Sequence, residues 1–190
     1  MYQKSFPFLT LAGPPIAAAC ALTLTSCSQE VQPTIAPLQS LQSHLQPFAA
    51  PPDFKSKCSE TIYIPLYSHI YHEDSTRATL LAGTVSIRNT DFKNGIVIKS
   101  IDYYNTDGKL LKQLCPKPLV LGPMASAEIV VPRTNTEGGS GANFILQWMS
   151  AESVSEPIAE AVMISSSSAQ SVSFVSRGQV ISRNGAVVTP

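Results

Sequence analysis

A chain of 190 residues, 44% of them hydrophobic, is enough for one domain with a core of its own, since single domains commonly run roughly 100–200 residues. Its 13 basic and 13 acidic residues cancel, so no basic surface invites nucleic acid and no polybasic run holds the chain to anionic lipid. Charged residues make up only 14% against roughly a quarter in an average globular chain, and the deficit lies at the front, where Lys4 is the only charge before Glu30.

Residues 1–26 read as an export signal. Lys4 supplies the positive start, residues 6–24 are mostly apolar, and small residues precede a cut. Pro7, Pro14 and Pro15 argue against a permanent membrane helix, because each removes a helical hydrogen bond. The sequence Leu24-Thr25-Ser26-Cys27 resembles the lipobox of bacterial lipoproteins, an aliphatic residue and two small ones before the cysteine that receives a diacylglyceryl group. Ala17-Ala18-Ala19-Cys20 competes for that role but has alanine where leucine is preferred. The resemblance implies lipidation of Cys27 and a mature chain of 12 basic and 13 acidic residues, Lys4 having been removed. The expected place is the cell envelope, anchored to a membrane and facing the periplasm or the exterior.

Residues 27–57 are expected to form a tether. Pro33, Pro37, Pro47, Pro51 and Pro52 stand among polar and small residues, a composition that favours extended, semi-rigid chain. From Cys58 to residue 183 the pattern becomes one of short β-rich segments separated by turn residues. Residues 61–67 form an extended run in which Pro65 suggests an edge strand. In residues 81–89 Leu81, Val85 and Ile87 alternate with Thr84, Ser86 and Arg88, the period of a half-buried strand. A turn over 91–95 leads into a strand over 96–104. Its apolar phase slips between Ile98 and Ile101, which suggests a bulge. Asn105-Thr-Asp-Gly108 is a hairpin turn, after which residues 109–114 run back.

Residues 119–121 form a short strand and Gly122-Pro123 a turn. Ala127, Ile129 and Val131 alternate with Glu128. A Gly-rich loop over 135–141 precedes a strand in which Phe144, Leu146 and Trp148 alternate with Ile145, Gln147 and Met149. Residues 158–164 and 172–181 supply the last two strands, and residues 184–190 are expected to fray. Eight or nine strands at this spacing, with no helical period, predict an all-β domain: an antiparallel β-sandwich of immunoglobulin-like size. A small closed β-barrel is the alternative.

The domain resembles a bacterial family called domain of unknown function 3124. The likeness rests on residues 64–72 (Ile-Pro-Leu-Tyr-Ser-His-Ile-Tyr-His), 86–91 (Ser-Ile-Arg-Asn-Thr-Asp), 101–108, 138–144 (Gly-Gly-Ser-Gly-Ala-Asn-Phe), 160–163 (Glu-Ala-Val-Met) and 173–178 (Ser-Phe-Val-Ser-Arg-Gly). It implies an exported bacterial protein and brings no activity with it. The cysteine pair is not part of that pattern.

Candidate chemistry is sparse. Cys58 and Cys115 are the cysteines left after Cys20 and Cys27, and an oxidising exterior would permit a disulfide between them. His69, His72, Glu73 and Asp74 form the densest group of potential ligands, suited to Zn²⁺ or Cu²⁺. Residues three apart on a straight strand face opposite ways, so both histidines meet one ion only if the chain turns there. The alternative is a strand end on which Tyr67, His69 and Tyr71 share a face. Gly138, Gly139, Ser140 and Gly141 offer backbone N–H groups to an anion, but such loops normally open a helix, and a strand follows here. The loop is read as a flexible connection between strands, with the Asn143 side chain expected to fold back onto it. No Gly-x-Ser-x-Gly elbow and no cofactor motif is present, so no enzyme and no cofactor is expected. Arg88 or Arg177 is expected to pair with Asp102, Glu128 or Glu160. The reading is a lipid-anchored, non-catalytic binding module with an envelope protein as partner. Its expected contact surface is Tyr67, His69, Tyr71 and His72 with the 138–143 loop. A metal-binding lipoprotein using His69 and His72 is the rival, and a purely structural envelope protein the third reading.

Overall fold

The computed structural model describes residues 45–166 and 171–188. The export segment, Cys20, Cys27 and the tether as far as His44 lie outside the described residues. In chain order the strands are β1 (Gln46–Pro47), β2 (Cys58–Pro65), β3 (His69–His72), β4 (Asp74–Leu80), β5 (Ala82–Arg88), β6 (Ile96–Tyr104) and β7 (Leu110–Gln113). They continue with β8 (Leu119–Leu121), β9 (Ser126–Val131), β10 (Asn143–Ser150), β11 (Ile158–Ser166), β12 (Ser171–Arg177), β13 (Gln179–Arg183) and β14 (Ala186–Val187). No helix among the described residues is long and apolar enough to cross a membrane.

Two open antiparallel sheets form the β-sandwich. The larger runs β1-β8-β6-β10-β2-β13-β14, with β7 also on β6, and the smaller runs β12-β11-β5-β9. Neither closes on itself, so the barrel alternative falls. Inward residues of both sheets meet in one core. Ile62, Ile64, Phe144, Leu146 and Trp148 come from the large sheet, and Val85, Ile87, Ile129, Ala161 and Met163 from the small one. The strict alternation of β5, β9 and β10 shows in their burial, every second side chain being inaccessible.

The phase slip in β6 is a bulge. Ser100 pairs with Gln147 and Ile98 with Trp148, so Lys99 is the extra residue. Both expected turns, 91–95 and 105–108, are present, each held by an Asx side chain. Asp91 Oδ1 accepts from the N–H groups of Lys93 and Asn94. Asn105 Oδ1 accepts from those of Asp107 and Lys109, and Gly108 takes φ +76°.

Five expectations need correction. β2 is not an edge strand, since β10 and β13 flank it. Pro65 is tolerated because the β13 ladder stops at Tyr63, leaving no partner there for the missing N–H. The tether ends earlier than residue 57: Leu45 is a buried core residue, Gln46 and Pro47 pair with β8, and Phe48 and Phe54 meet edge to face. Residues 184–190 do not all fray, since a turn at Asn184–Gly185 lays Ala186 and Val187 against β13. Residues 172–181 are two strands, because the chain leaves the small sheet after Arg177 and enters the large one at Gln179. A Cβ at Gly178 would lie 2.7 Å from Ile62 and 2.8 Å from the Ala159 carbonyl oxygen, so the sheet change needs glycine.

The fifth correction concerns the disulfide. Cys58 and Cys115 are both free. Cys58 pairs with Ser150 of β10, whereas the Cys115 thiol lies beneath the Ile98 carbonyl of β6. β10 separates β2 from β6 by about 10 Å at roughly 4.8 Å per strand, and Cys115 lies in the link between β7 and β8 on the far side of β6, beyond the roughly 7 Å that a disulfide spans between Cα atoms.

Candidate functional site

One end of the sandwich gathers three of the segments singled out in the sequence: residues 64–72, the 105–108 turn and the 138–143 loop. The chain leaves β2 at Pro65, and the Leu66 N–H bonds the Ala142 carbonyl at 2.8 Å. Ser68 is the joint. Its N–H donates to the Gly139 carbonyl at 3.0 Å, and its own carbonyl accepts from Leu81 at 2.9 Å. That second bond closes the base of a hairpin, β3 and β4, whose strands pair only with each other.

The Gly-rich loop is clamped from the other side by Thr106. Its N–H and its hydroxyl both donate to the Gly138 carbonyl, at 2.9 and 3.0 Å, and the hydroxyl accepts from Gly141 N–H at 2.9 Å. Gly139 holds φ +75° directly against the Thr106 hydroxyl. Gly138 rests on the Tyr103 hydroxyl so closely that a Cβ would come within 2.1 Å of it. Tyr103 is fully buried and stacked on Phe144, with ring centres 4.6 Å apart. Burial pushes its phenol pKa up, with the Glu137 charge adding. The Ser68 and Tyr103 hydroxyls are outside hydrogen-bonding geometry and have no partner among the described residues.

Two of the loop's four candidate anion donors are already taken. The Gly139 N–H is taken by the Thr136 carbonyl and the Gly141 N–H by Thr106. Ser140 is half-buried, and Asn143 is fixed as the first residue of β10, between Pro65 and Tyr104. The loop is tied by hydrogen bonds to the Leu66–Ser68 segment and to Thr106.

The hairpin presents the chemistry. Tyr71 is 54% exposed, and the His69 ring meets it edge-on at 5.0 Å. Beyond a bulge, His72 lies opposite Asp74, its Nδ1 3.3 Å from the Thr79 hydroxyl. Glu73 makes the turn at φ +66° and pairs with Arg77. The Thr76 hydroxyl and N–H both donate to Asp74 Oδ1, which holds that carboxyl below the usual aspartate range. Tyr67, at the hairpin's root, packs edge-on against Phe174 of β12 at 5.8 Å. The chain does turn after His72, but no three His, Cys, Asp or Glu side chains among the described residues are grouped so as to share a metal ion.

The opposite end holds a constellation that sequence reading missed. Glu60 is 5% exposed and lies on the apolar face of β2, in phase with Ile62 and Ile64. It accepts from Trp148 Nε1 at 3.2 Å and from Arg183 Nε at 2.6 Å. Arg183 also reaches Glu156, and these carboxylates raise its pKa, Glu60 foremost. A carboxylate in an apolar phase was the available signal. Beside it a polar trough of about 200 Å³ is lined by Thr61, Lys99, Gln147 and Ser182. Near the same end Asn89 bridges two loops, its Nδ2 donating to the carbonyls of Asn94 and Gly122. Of the expected ion pairs, Arg88 faces Glu160 at 3.8 Å. The Cys115 thiol is pushed up to about 11 by burial, with the Asp102 charge adding, so its nucleophilic form is disfavoured.

Residues 59–181 match a family described as proteins of unknown function, DUF3124. The chain belongs to this family. No curated protein matches it. Among solved structures, the crystal structure of Thermotoga maritima 1070 is similar at 10% identity with a TM-score of 0.37, over 63% of this chain and 92% of that one.

Proposed function

We propose that this DUF3124 protein is an exported lipoprotein, anchored through Cys27, whose β-sandwich holds an envelope protein partner without catalysing a reaction. The observation that carries the contact surface is the β3–β4 hairpin. It joins neither sheet, and an isolated two-stranded hairpin is marginal in water. Yet it exposes Tyr71 and His72 on a base fixed by Ser68 and the clamped glycine loop. A hydrogen-bonded base under an exposed tyrosine suits recognition, because tyrosine is enriched in protein interfaces. The lipid anchor is supported by the apolar leader and the Leu-Thr-Ser-Cys motif. The rival use of His69 and His72 as metal ligands lacks a third ligand among the described residues.

Crosslinking and affinity capture of the full chain from its own membranes tests the contact. One abundant protein should be captured, and Tyr71→Ala should abolish its capture while the melting temperature stays unchanged. Capture that is indifferent to Tyr71→Ala refutes the hairpin as the contact. The anchor is tested separately, by metabolic labelling with an acyl-chain analogue. Label should enter the wild-type chain and be lost in Cys27→Ala.

A further inference from the structure

The two sheets have five edge strands, and four of them are blunted. β1 is two residues long and contains Pro47, β14 is two residues long, β7 has four residues and carries Lys112, and β9 carries Glu128 and stops at Pro132. Short strands, prolines and charges are how folded proteins keep sheet edges from pairing. Of these protections β12 has only a charge at its last position. It is seven residues long with an unbroken register against β11, and it contains no proline and no charge before Arg177 at its end. Among the described residues no backbone hydrogen bond reaches its far side.

Exposed apolar side chains stand among the serines on both faces of this edge. Val175 is 55% and Ile164 50% exposed on the outer face of the small sheet, while Val172 and Tyr67 remain partly open on the inner side beside Phe174. An edge strand that leaves backbone groups and apolar side chains uncovered is a template for another strand.

We propose that β12 pairs antiparallel with β12 of a second copy, joining two four-stranded sheets into one of eight strands about a twofold axis. The sequence fits itself. Full overlap of the seven residues places the axis at Phe174, with Ser173 opposite the other copy's Val175 and Val172 opposite its Ser176. Arg177 then faces Ser171 of the other copy, so no like charges meet, and each Arg177 keeps its ladder neighbour Glu160. The Tyr67–Phe174 pairs of the two copies come together at the axis. The contact is isologous, the commonest arrangement among homo-oligomers, and leaves the β3–β4 hairpin a separate surface.

Sedimentation of the purified full chain in mild detergent, over a range of protein concentrations, tests this. The wild type should reach the mass of a dimer. Val175→Lys puts an edge lysine into the shared ladder and should raise the dissociation constant by roughly tenfold or more, with an unchanged circular dichroism spectrum. Should that variant not fold, Val172→Lys serves the same purpose. Val130→Lys, on the same outer face but at β9, should leave the dimer intact. A wild type that stays monomeric at the highest attainable concentration overturns the proposal. So does a dimer indifferent to the β12 lysines, or one that Val130→Lys dissociates equally, since that would place the contact on the sheet face.

Discussion

Arg183 and Glu60 are unequal partners, and the inequality can be measured. The Arg183 side chain is 47% exposed, whereas that of Glu60 is 3% exposed. Arg183→Ala strands a buried carboxylate with Trp148 as its remaining donor, and stranding a buried charge costs about 3 kcal/mol. Glu60→Gln keeps an oxygen for Trp148 and releases Arg183 toward Glu156 and water, so it should cost only about 1 kcal/mol. Urea unfolding of the two variants should show that order, and equal losses would mean that Glu60 is not held by this pair. Under the glycine loop a second pair of residues is coupled. Gly138→Ala forces a methyl group onto the Tyr103 hydroxyl and should cost about 1–3 kcal/mol. Tyr103→Phe removes a buried hydroxyl that has no partner and should be near neutral or stabilising. In the double variant part of the Gly138→Ala loss should return, because the nearest obstacle has gone, although Ala142 still stands 2.6 Å away. Strict additivity would show that the hydroxyl does not set the loop's position.

At the scale of elements, alternation made β5, β9 and β10 legible, and a one-residue slip was enough to place the β6 bulge at Lys99. What stayed hidden depends on distant partners. Pro65 reads as an edge residue because sequence shows the missing donor but not where the β13 ladder stops. In β11 the apolar residues Ile158, Val162 and Ile164 lie on the outer face, while Ala159, Ala161 and Met163 fill the core. Small core residues make that phase hard to see. The candidate contact surface was half legible: both segments were singled out, but their joining through Ser68 and Thr106 is tertiary. Because the hairpin pairs with neither sheet and its core contact is Ile70 at the base, replacing residues 71–78 by a short glycine linker should leave the domain folded, with the melting temperature lowered by only a few degrees. A collapse of the cooperative transition would make the hairpin part of the core instead. The 91–95 turn gives a pH test. N–H donors from Lys93 and Asn94 hold the Asp91 carboxyl below its ordinary value. A depressed carboxyl favours the folded turn at any pH above the unfolded aspartate value, and that contribution is lost as pH falls through the lower folded value. Amide exchange at Lys93 and Asn94 should therefore lose protection only in that acid window.

Taken whole, the molecule holds its shape by strand order rather than by covalent ties. Leu45 enters the core beside β8, Arg183 ties the C-terminal strand back to β2, and Gly178 carries the chain from one sheet to the other. The expected export to an oxidising compartment left room for a Cys58–Cys115 bond, but oxidising conditions only permit a bond that geometry must supply. With β10 between the two chains, closing that bond would require moving a strand out of the sheet, at the cost of two ladders that run the length of β10. Stability should accordingly be indifferent to redox state, with the same melting temperature in the presence and absence of reductant. In the unfolded, unreduced protein both thiols should titrate. In the folded protein they should differ in rate: Cys115 is buried with its pKa at about 11, so it should react with iodoacetamide far more slowly than half-exposed Cys58, because the thiolate is the attacking form. A melting temperature that falls on reduction, or a chain in which neither thiol titrates, would mean that the strand order between β2 and β6 is not the one described.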